Sequence, residues 1–304
     1  MNLRNKYILF SCIVLTLTPI IYSTLTTTEI TATDWVYRHS VWIDRYINGD
    51  FSSIFQYPPL FHFLMLPFVY FHFPVVYLQI VFAVLSLFGI LYTAYKLENE
   101  TTLVLMAMFL ASSLAFMMFS SALMPQSLDY FLFPLTCIFY FKKKYAPTIL
   151  ILIIMFLMHI LGIVFIFILF LHSLLTRKYK FTKILFIILI ILVSIFYYYY
   201  FIASYEVDVK WDVKAQEKWE SDYIFPIYKF FIFSGSMTWL SLVFSIYFVT
   251  MKKVKLNEKH LLYLIWALSF IPLSFFGFGI WRATSYSIIP LSYLVASIYS
   301  NRKL

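Results

Sequence analysis

Acidic and basic side chains crowd into a short polar stretch that separates two apolar runs. Asp34, Arg38 and His39 come first, among tryptophans and tyrosines that favour a membrane–water interface. Asp34 stands where an interfacial helix is expected to begin, and its carboxylate could take a proton from a hydroxyl group as a general base. An equally weighted alternative is structural: Asp34 would cap the helix and pair with Arg38. For His39 and Asp44, a solvated helix face explains either residue.

Composition then decides what kind of protein must position these residues. Of 304 residues, 62% are hydrophobic and 12% are charged, about half the charged fraction of an ordinary soluble domain. Apolar runs of spanning length recur along the chain, which predicts an all-α, polytopic membrane protein with a single domain over 1–304. Cys12 and Cys137 fall inside such runs and are expected to pack rather than to form a disulfide. The net charge of +9 comes from bases in short loops, which indicates membrane orientation and no nucleic acid.

The apolar pattern predicts a bundle of about ten transmembrane helices with both termini in the cytoplasm. One run, 147–175, is too long for a single crossing, so we expect two short helices with a turn near His159 and Gly162. Another run, 57–73, contains four prolines and is expected to lie in the outer interface rather than to cross. The expected spans are 7–25, 75–95, 103–118, 128–141, the two within 147–175, 184–203, 227–251, 261–279 and 283–300.

This topology separates the charges by sign. Most of the 23 Lys and Arg residues fall on the cytoplasmic side, as orientation requires. Most of the 14 acidic residues fall outside, where acids have little influence on topology, so a functional site is one explanation. The external loops at 26–74 and 204–225 therefore hold the candidate chemistry. The second contains an amphipathic segment, 210–222, that is either a lid over a ligand or a plain solvated loop.

Three later places add polar groups near the same outer face. The segment MPQSLDY at 124–130 places Asp129 at the mouth of a helix, where it either acts in a site or caps the helix. His159 lies at the outer turn, although a lone histidine is more often structural. Arg282, within WRATSY at 281–286, is a cation near the outer face; it would bind a phosphate group or extend toward lipid headgroups.

Taken together, these motifs resemble a known family. Thr33-Asp34-Trp35 with His39, followed by YPPLF from Tyr57, is similar to the first external loop of the GT-C membrane glycosyltransferases, above all the dolichyl-phosphate-glucose glucosyltransferases. Protein O-mannosyltransferases and the lipid A aminoarabinose transferase share the plan more loosely. The likeness covers the order of elements, but its specific motifs cover only about thirty residues, and Gln56 stands where the glucosyltransferases have an acid.

The resemblance implies an inverting transferase that moves a monosaccharide from a polyprenyl-phosphate donor to a glycan or lipid-linked acceptor outside the cytoplasm. Asp34 matches the family's catalytic base. The expected donor phosphate ligands are Arg282 and His159, and the expected substrate-binding residues are Arg38, His39, Tyr57 and Asp129. Some members need a divalent metal and others need none, so the cofactor stays open. Membrane lipids are the remaining expected partners.

Two rival functions remain. A transporter or flippase for lipid-linked saccharides would place ionisable residues at the bilayer midplane between broken helices, whereas here they are expected at the outer surface. An accessory subunit with a decayed site is the other rival, and the presence of Asp34 and Arg282 weighs against it.

Overall fold

A computed structural model describes residues 1–27, 39–51, 58–159, 161–198, 256–270 and 280–300, with isolated residues between 240 and 250. Within these ranges the chain is helical and contains no strand. The helices are α1 (Leu3–Thr27), α2 (Ser40–Ile47), α3 (Leu60–Tyr70), α4 (Leu78–Leu97), α5 (Glu100–Ala111), α6 (Leu114–Ser121), α7 (Pro125–Phe141), α8 (Tyr145–Met158), α9 (Gly162–Leu175), α10 (Tyr179–Tyr197), α11 (Glu258–Phe270) and α12 (Ile280–Ser300). The all-α prediction is therefore confirmed for the described part, while 204–225 and most of 227–251 lie outside it.

Two helices of the described part are long and apolar enough to cross a membrane. They are Leu3–Thr26 and Val75–Leu97, and a third crossing is possible if the bent pair α5 and α6 counts as one span. Several other helices are apolar but shorter, namely α3, α8, α9 and the part of α12 from Tyr286 to Ser300. These helices are compatible with membrane association, but they do not establish ten crossings.

The span expected at 103–118 is not one straight helix, because the chain bends by 84° between α5 and α6. Ser113 adopts an extended conformation at the break, and its hydroxyl oxygen accepts a hydrogen bond from the backbone N–H of Phe116. This is the geometry of a serine N-cap, which starts a new helix. The break falls inside a stretch that is continuously apolar in sequence. With 12 residues, α5 is only about 18 Å long.

The expected break near His159 and Gly162 is confirmed, because α8 ends at Met158 and α9 begins at Gly162. His159 is extended, with φ −157° and ψ 140°. Gly162 is required for close packing: a Cβ placed there would lie 2.4 Å from the backbone nitrogen and Cα of Phe156. The two short helices can therefore fold against each other only with glycine at this position.

The described part of 26–74, the segment expected to be the first external loop, contains two short helices, as the sequence predicts. α3 begins directly after Pro58 and Pro59, so the diproline acts as a turn into a helix, and its 11 residues are fewer than the expected 57–73. Both helices pack on the start of α4, the turn before α7 and the end of α8. The buried members of this second apolar cluster are Ile43, Phe61, Met65, Leu78, Phe82, Ala122, Leu123, Met124, Leu128 and Met158.

α12 lies at the centre of the larger core, since every described side chain from Tyr286 to Ile298 is buried. Close backbone approach tightens the same core, because a Cβ at Gly89 of α4 would lie 2.8 Å from the Cα of Phe131 in α7. Cys12 and Cys137 are free, buried members of this core. Their predicted role as packing residues is confirmed.

A network around Glu98 joins three helices at the far end of α4. The Glu98 side chain is 4% exposed, and its carboxylate accepts hydrogen bonds from the hydroxyl groups of Tyr263 (2.9 Å) and Ser297 (3.0 Å). Lys259 Nζ lies 3.5 Å from the same carboxylate. The network therefore attaches the end of α4 to both α11 and α12.

Other charged pairs gather at this end of the bundle. The N-terminal amine lies 3.1 Å from Glu100, and Lys178 lies 2.9 Å from Glu258. We call the set Glu98, Glu100, Lys178, Glu258 and Lys259 the charged end. The N-terminus and the turns after α4 and α9, which the sequence predicts to be cytoplasmic, lie at this end. α4 runs from the second apolar cluster to this end over 20 residues, about 30 Å.

We predict that Glu98→Ala lowers the free energy of unfolding by about 3 kcal/mol, because it leaves two buried hydroxyl groups without their acceptor and removes the carboxylate beside Lys259, whose ammonium group keeps its bond to the Leu97 carbonyl. Glu100→Ala is the matched control: its carboxylate is more exposed, so the expected loss is much smaller. Denaturant or thermal unfolding in detergent measures both. Equal losses for the two variants would contradict a structural role for the Glu98 network.

We also predict that α3 does not cross the bilayer, since its 11 residues span only about 17 Å against a hydrocarbon core of about 30 Å. Single cysteines at Asp50 and Phe73, both exposed, should react with an impermeant maleimide from the same side of the membrane. The background carries Cys12→Ala and Cys137→Ala. Lys143→Cys should react from the opposite side, and labelling of positions 50 and 73 from opposite sides would make α3 a crossing.

Candidate functional site

Four polar side chains meet in the apolar interior where α7 begins, α8 ends and α12 passes. We call Gln126, Asp129, His159 and Tyr286 the polar tetrad; all four are buried. Pro125 occupies the first turn of α7, a position that proline tolerates because its missing N–H would lack a helical partner anyway. Gln126 and Asp129, three residues apart, therefore share one face of α7.

Asp129 is 1% exposed and has a single hydrogen bond. Its Oδ2 accepts from the hydroxyl group of Tyr286 at 3.2 Å, while Oδ1 has no hydrogen-bond partner. A carboxyl group in apolar surroundings with half of its hydrogen-bonding capacity unused is costly for a fold. Capping of α7 does not explain it, because the side chain contacts α12 instead.

The two nitrogens of His159 fix the orientation of Gln126. His159 Nδ1 accepts the backbone N–H of Leu161 at 3.1 Å, so the imidazole proton resides on Nε2. That nitrogen lies 2.9 Å from the terminal Nε2 position of the Gln126 amide, and two N–H donors cannot bond to each other. The amide must therefore present its oxygen to His159 and direct its NH₂ group away. The other terminal atom of this amide has no hydrogen-bond partner.

Tyr286 is held by aromatic rings on three sides. Its ring stacks on Phe270 with centroids 4.5 Å apart and an interplanar angle of 9°, and it contacts Phe165 and Tyr130. These contacts fix the direction of the hydroxyl group toward Asp129. Arg282 precedes Tyr286 by four residues on α12, which places it one helical turn away. The Arg282 side chain lies outside the described part.

A histidine pair lies in the segment between α1 and α4. His39 Nδ1 and His62 Nε2 are 2.9 Å apart, so one ring donates to the other. His39 is 4% exposed and His62 is fully buried, with Trp42 against both rings. The explanation of His39 as part of a solvated helix face is therefore wrong, whereas Asp44 is exposed as that explanation expects. Desolvation by burial, with His39 as a second cause, lowers the pKa of His62 to about 3.

The histidine pair and the polar tetrad lie at the same end of the bundle. Phe61, which precedes His62, belongs to the apolar cluster that also contains Met124, Leu128 and Met158. Leu128 and Met158 directly precede Asp129 and His159, and Met124 lies two residues before Gln126. Two regions separated by more than sixty residues of sequence are thus brought together opposite the charged end.

Of the residues expected from the sequence, Asp129 and His159 belong to the tetrad and His39 to the histidine pair. Asp34, Arg38 and Tyr57 lie outside the described residues. The sequence analysis missed Gln126, Tyr286 and His62, although the first two lie within motifs that it had identified and His62 directly follows one. The available signal was a polar side chain inside an apolar run, which demands a partner. Within the described ranges, no group of three or more His, Cys, Asp or Glu side chains could hold a metal ion.

Comparison with protein-family models, with curated proteins and with solved structures finds no match to this chain.

We predict that burial of the histidine pair makes the fold sensitive to acid. The lowered pKa of His62 means that the folded state keeps this ring neutral, while the unfolded chain binds its proton below pH 6.5. Stability is therefore full above pH 6.5 and is lost toward pH 3, by roughly 1.4 kcal/mol per pH unit for one proton.

His62→Gln should remove the contribution of about one proton from the pH dependence of the free energy of unfolding. The Gln amide can still bond to His39, but it does not titrate. His72→Asn is the control, since His72 is exposed and Asn tolerates its positive φ of 53°. Unfolding midpoints at pH 7, 6, 5 and 4.5 measure the effect. An unchanged slope in His62→Gln would assign the acid sensitivity to other groups.

Proposed function

We propose that this chain is an inverting membrane glycosyltransferase of the GT-C type. It would move a monosaccharide from a polyprenyl-phosphate donor to a glycan or lipid-linked acceptor. Asp34 deprotonates the acceptor hydroxyl, the acceptor oxygen attacks the anomeric carbon, and polyprenyl phosphate leaves. The likeness of the first external loop to that family motivates the proposal, and the apolar helices are compatible with its membrane setting.

One observation carries the proposal: the helices of the first loop pack on the same helix ends that carry the polar tetrad. A transferase needs its base, its donor phosphate ligands and its sugar contacts at one place. Support for this comes from the described residues at this end of the bundle, where α2 and α3 meet the start of α7, the end of α8 and Tyr286 of α12. Arg282, one turn from Tyr286, is the proposed phosphate ligand. Because His159 already bonds to Gln126, we propose Arg282 as the phosphate ligand without His159.

Orientation follows from the same proposal. The charged end, with the N-terminus and the bases after α7 and α9, lies in the cytoplasm. The tetrad end lies at the extracytoplasmic face, where a polyprenyl-phosphate sugar can enter from the outer leaflet. The whole chain then acts as one polytopic domain, and the 26–74 loop is its catalytic part.

A lipid-linked saccharide transporter remains the second candidate, because the 84° bend between α5 and α6 and the break at His159 are discontinuous helices of the kind that transporters use. The position of Asp129 favours the enzyme. It lies in the second turn of α7, which begins at Pro125, about 6 Å from the helix start rather than at its middle.

The proposal is tested by incubating the purified protein with a panel of labelled polyprenyl-phosphate sugars and a native lipid extract. Transfer of label to a new product supports the enzyme. Liposomes that hold the labelled donor in one leaflet test the rival: movement of intact donor without a new product would replace the transferase by a transporter.

Asp34→Asn should reduce transfer by roughly a hundred- to ten-thousand-fold, because an amide cannot accept a proton at neutral pH. Donor binding should persist. The amide still caps a helix, so the unfolding midpoint should stay near that of the wild type, whereas Asp34→Ala should lower stability by about 1 kcal/mol. Turnover is measured with the donor that the panel identifies.

Asp44→Asn is the matched control, because Asp44 is an exposed carboxylate of the same loop. It should keep wild-type transfer. Substantial turnover by Asp34→Asn, or loss of turnover only in Asp44→Asn, would remove Asp34 from the role of base.

A further inference from the structure

Two polar atoms of the polar tetrad lack partners, although the groups that carry them are buried. They are Asp129 Oδ1 and the outward-facing atom of the Gln126 amide. Asp129 is 1% exposed and Gln126 is 7% exposed. Both lie on one face of α7, one turn apart. Buried polar groups without partners are rare in native folds, and each such group calls for a specific explanation.

The chemistry of Asp129 and Gln126 limits which ligand group can bind to both. Because the Gln126 amide oxygen must face His159 Nε2, the amide atom left without a partner is the NH₂ donor. Asp129 Oδ1 is an acceptor when the carboxyl group is ionised and can donate when it is protonated. A metal cation does not fit, because the amide presents hydrogens rather than an oxygen. A phosphate does not fit an ionised carboxylate, because two anions would repel.

A hydroxyl group satisfies the pair in either protonation state of Asp129. It can accept from Gln126 while donating to an ionised Asp129, and it can accept from both groups when Asp129 is protonated. We propose that Asp129 and Gln126 form a subsite for one hydroxyl group of a sugar, with Tyr286 and His159 as the positioning residues that hold the two groups in register. This inference deepens the proposed function and rests on it for the identity of the ligand as a glycosyl group.

The arrangement explains why the positioning residues are rigid. Tyr286 is packed between aromatic rings and occupies Asp129 Oδ2, so that Oδ1 faces the ligand. His159 is locked by the backbone of Leu161 at the break between α8 and α9 and orients the amide. Because both groups are buried, a ligand reaches them only when the helix ends that cover them open. Recognition of one hydroxyl in this setting is selective, since its absence leaves two buried groups unpaired.

The test uses the full-length protein in detergent, with methyl glycosides of glucose, mannose and galactose as probes. Thermal unfolding across probe concentrations gives the dissociation constants, because a ligand that binds only the folded state raises the unfolding temperature. Monodeoxy derivatives of the best probe then scan its hydroxyl groups. In the wild type, one deoxy position should bind at least about tenfold more weakly than its parent.

Two variants assign that hydroxyl to the pair. Asp129→Ala removes the carboxyl group, and Gln126→Glu keeps an oxygen for His159 but replaces the NH₂ donor by an acceptor. In both variants the discrimination against that deoxy position should fall to about twofold or less, as expected when the coupled partner is gone. Asp129→Asn is the rescue variant, because its amide can accept from Tyr286 and still donate to a hydroxyl group.

Ser292→Ala is the control, since Ser292 is also buried with an unpartnered hydroxyl but lies on α12, six residues beyond Tyr286. It should keep the full discrimination. No saturable shift with any glycoside, or discrimination that survives in Asp129→Ala, would overturn the subsite and leave the pair as a place for an internal water. Transfer activity is measured separately, so a failed subsite with active transfer is distinguishable from a failed transferase with an intact glycoside site.

Discussion

A buried polar group must find a hydrogen-bond partner inside the fold, and this requirement governs both ends of the helix bundle. At the charged end, Glu98 lies among α4, α11 and α12 and accepts from two hydroxyl groups, with Lys259 close by. In apolar surroundings each unpaired group is costly. The paired carboxylate therefore fixes how these helices meet.

The two buried carboxyl groups differ in how completely they are paired. Both oxygens of Glu98 are engaged, whereas Asp129 has one oxygen engaged by Tyr286 and one without a partner. A fully satisfied network stabilises a structure, while a partly satisfied one marks a place where something else is expected to bind. The same physical rule thus distinguishes a structural end from a candidate site.

Helix breaks bring the candidate site together. Ser113 starts a new helix after a sharp bend, and Gly162 lets α9 begin against the backbone of Phe156. The break leaves His159 extended, with its ring directed at Gln126. Without these interruptions, long straight helices would carry the polar residues to different depths. Local sequence chemistry therefore controls a long-range arrangement.

The sequence by itself determined the helical class, the apolar character and the break at Gly162, because periodicity, composition and turn chemistry are local properties. It also identified Asp129 and His159, since polar residues in apolar runs are conspicuous. Only the tertiary structure decided that Tyr286 pairs with Asp129 and that His39 meets His62, because these contacts join residues far apart in the chain. The hydrophobic pattern of a helix shows that it has an apolar face, but it does not specify which other helix packs against that face.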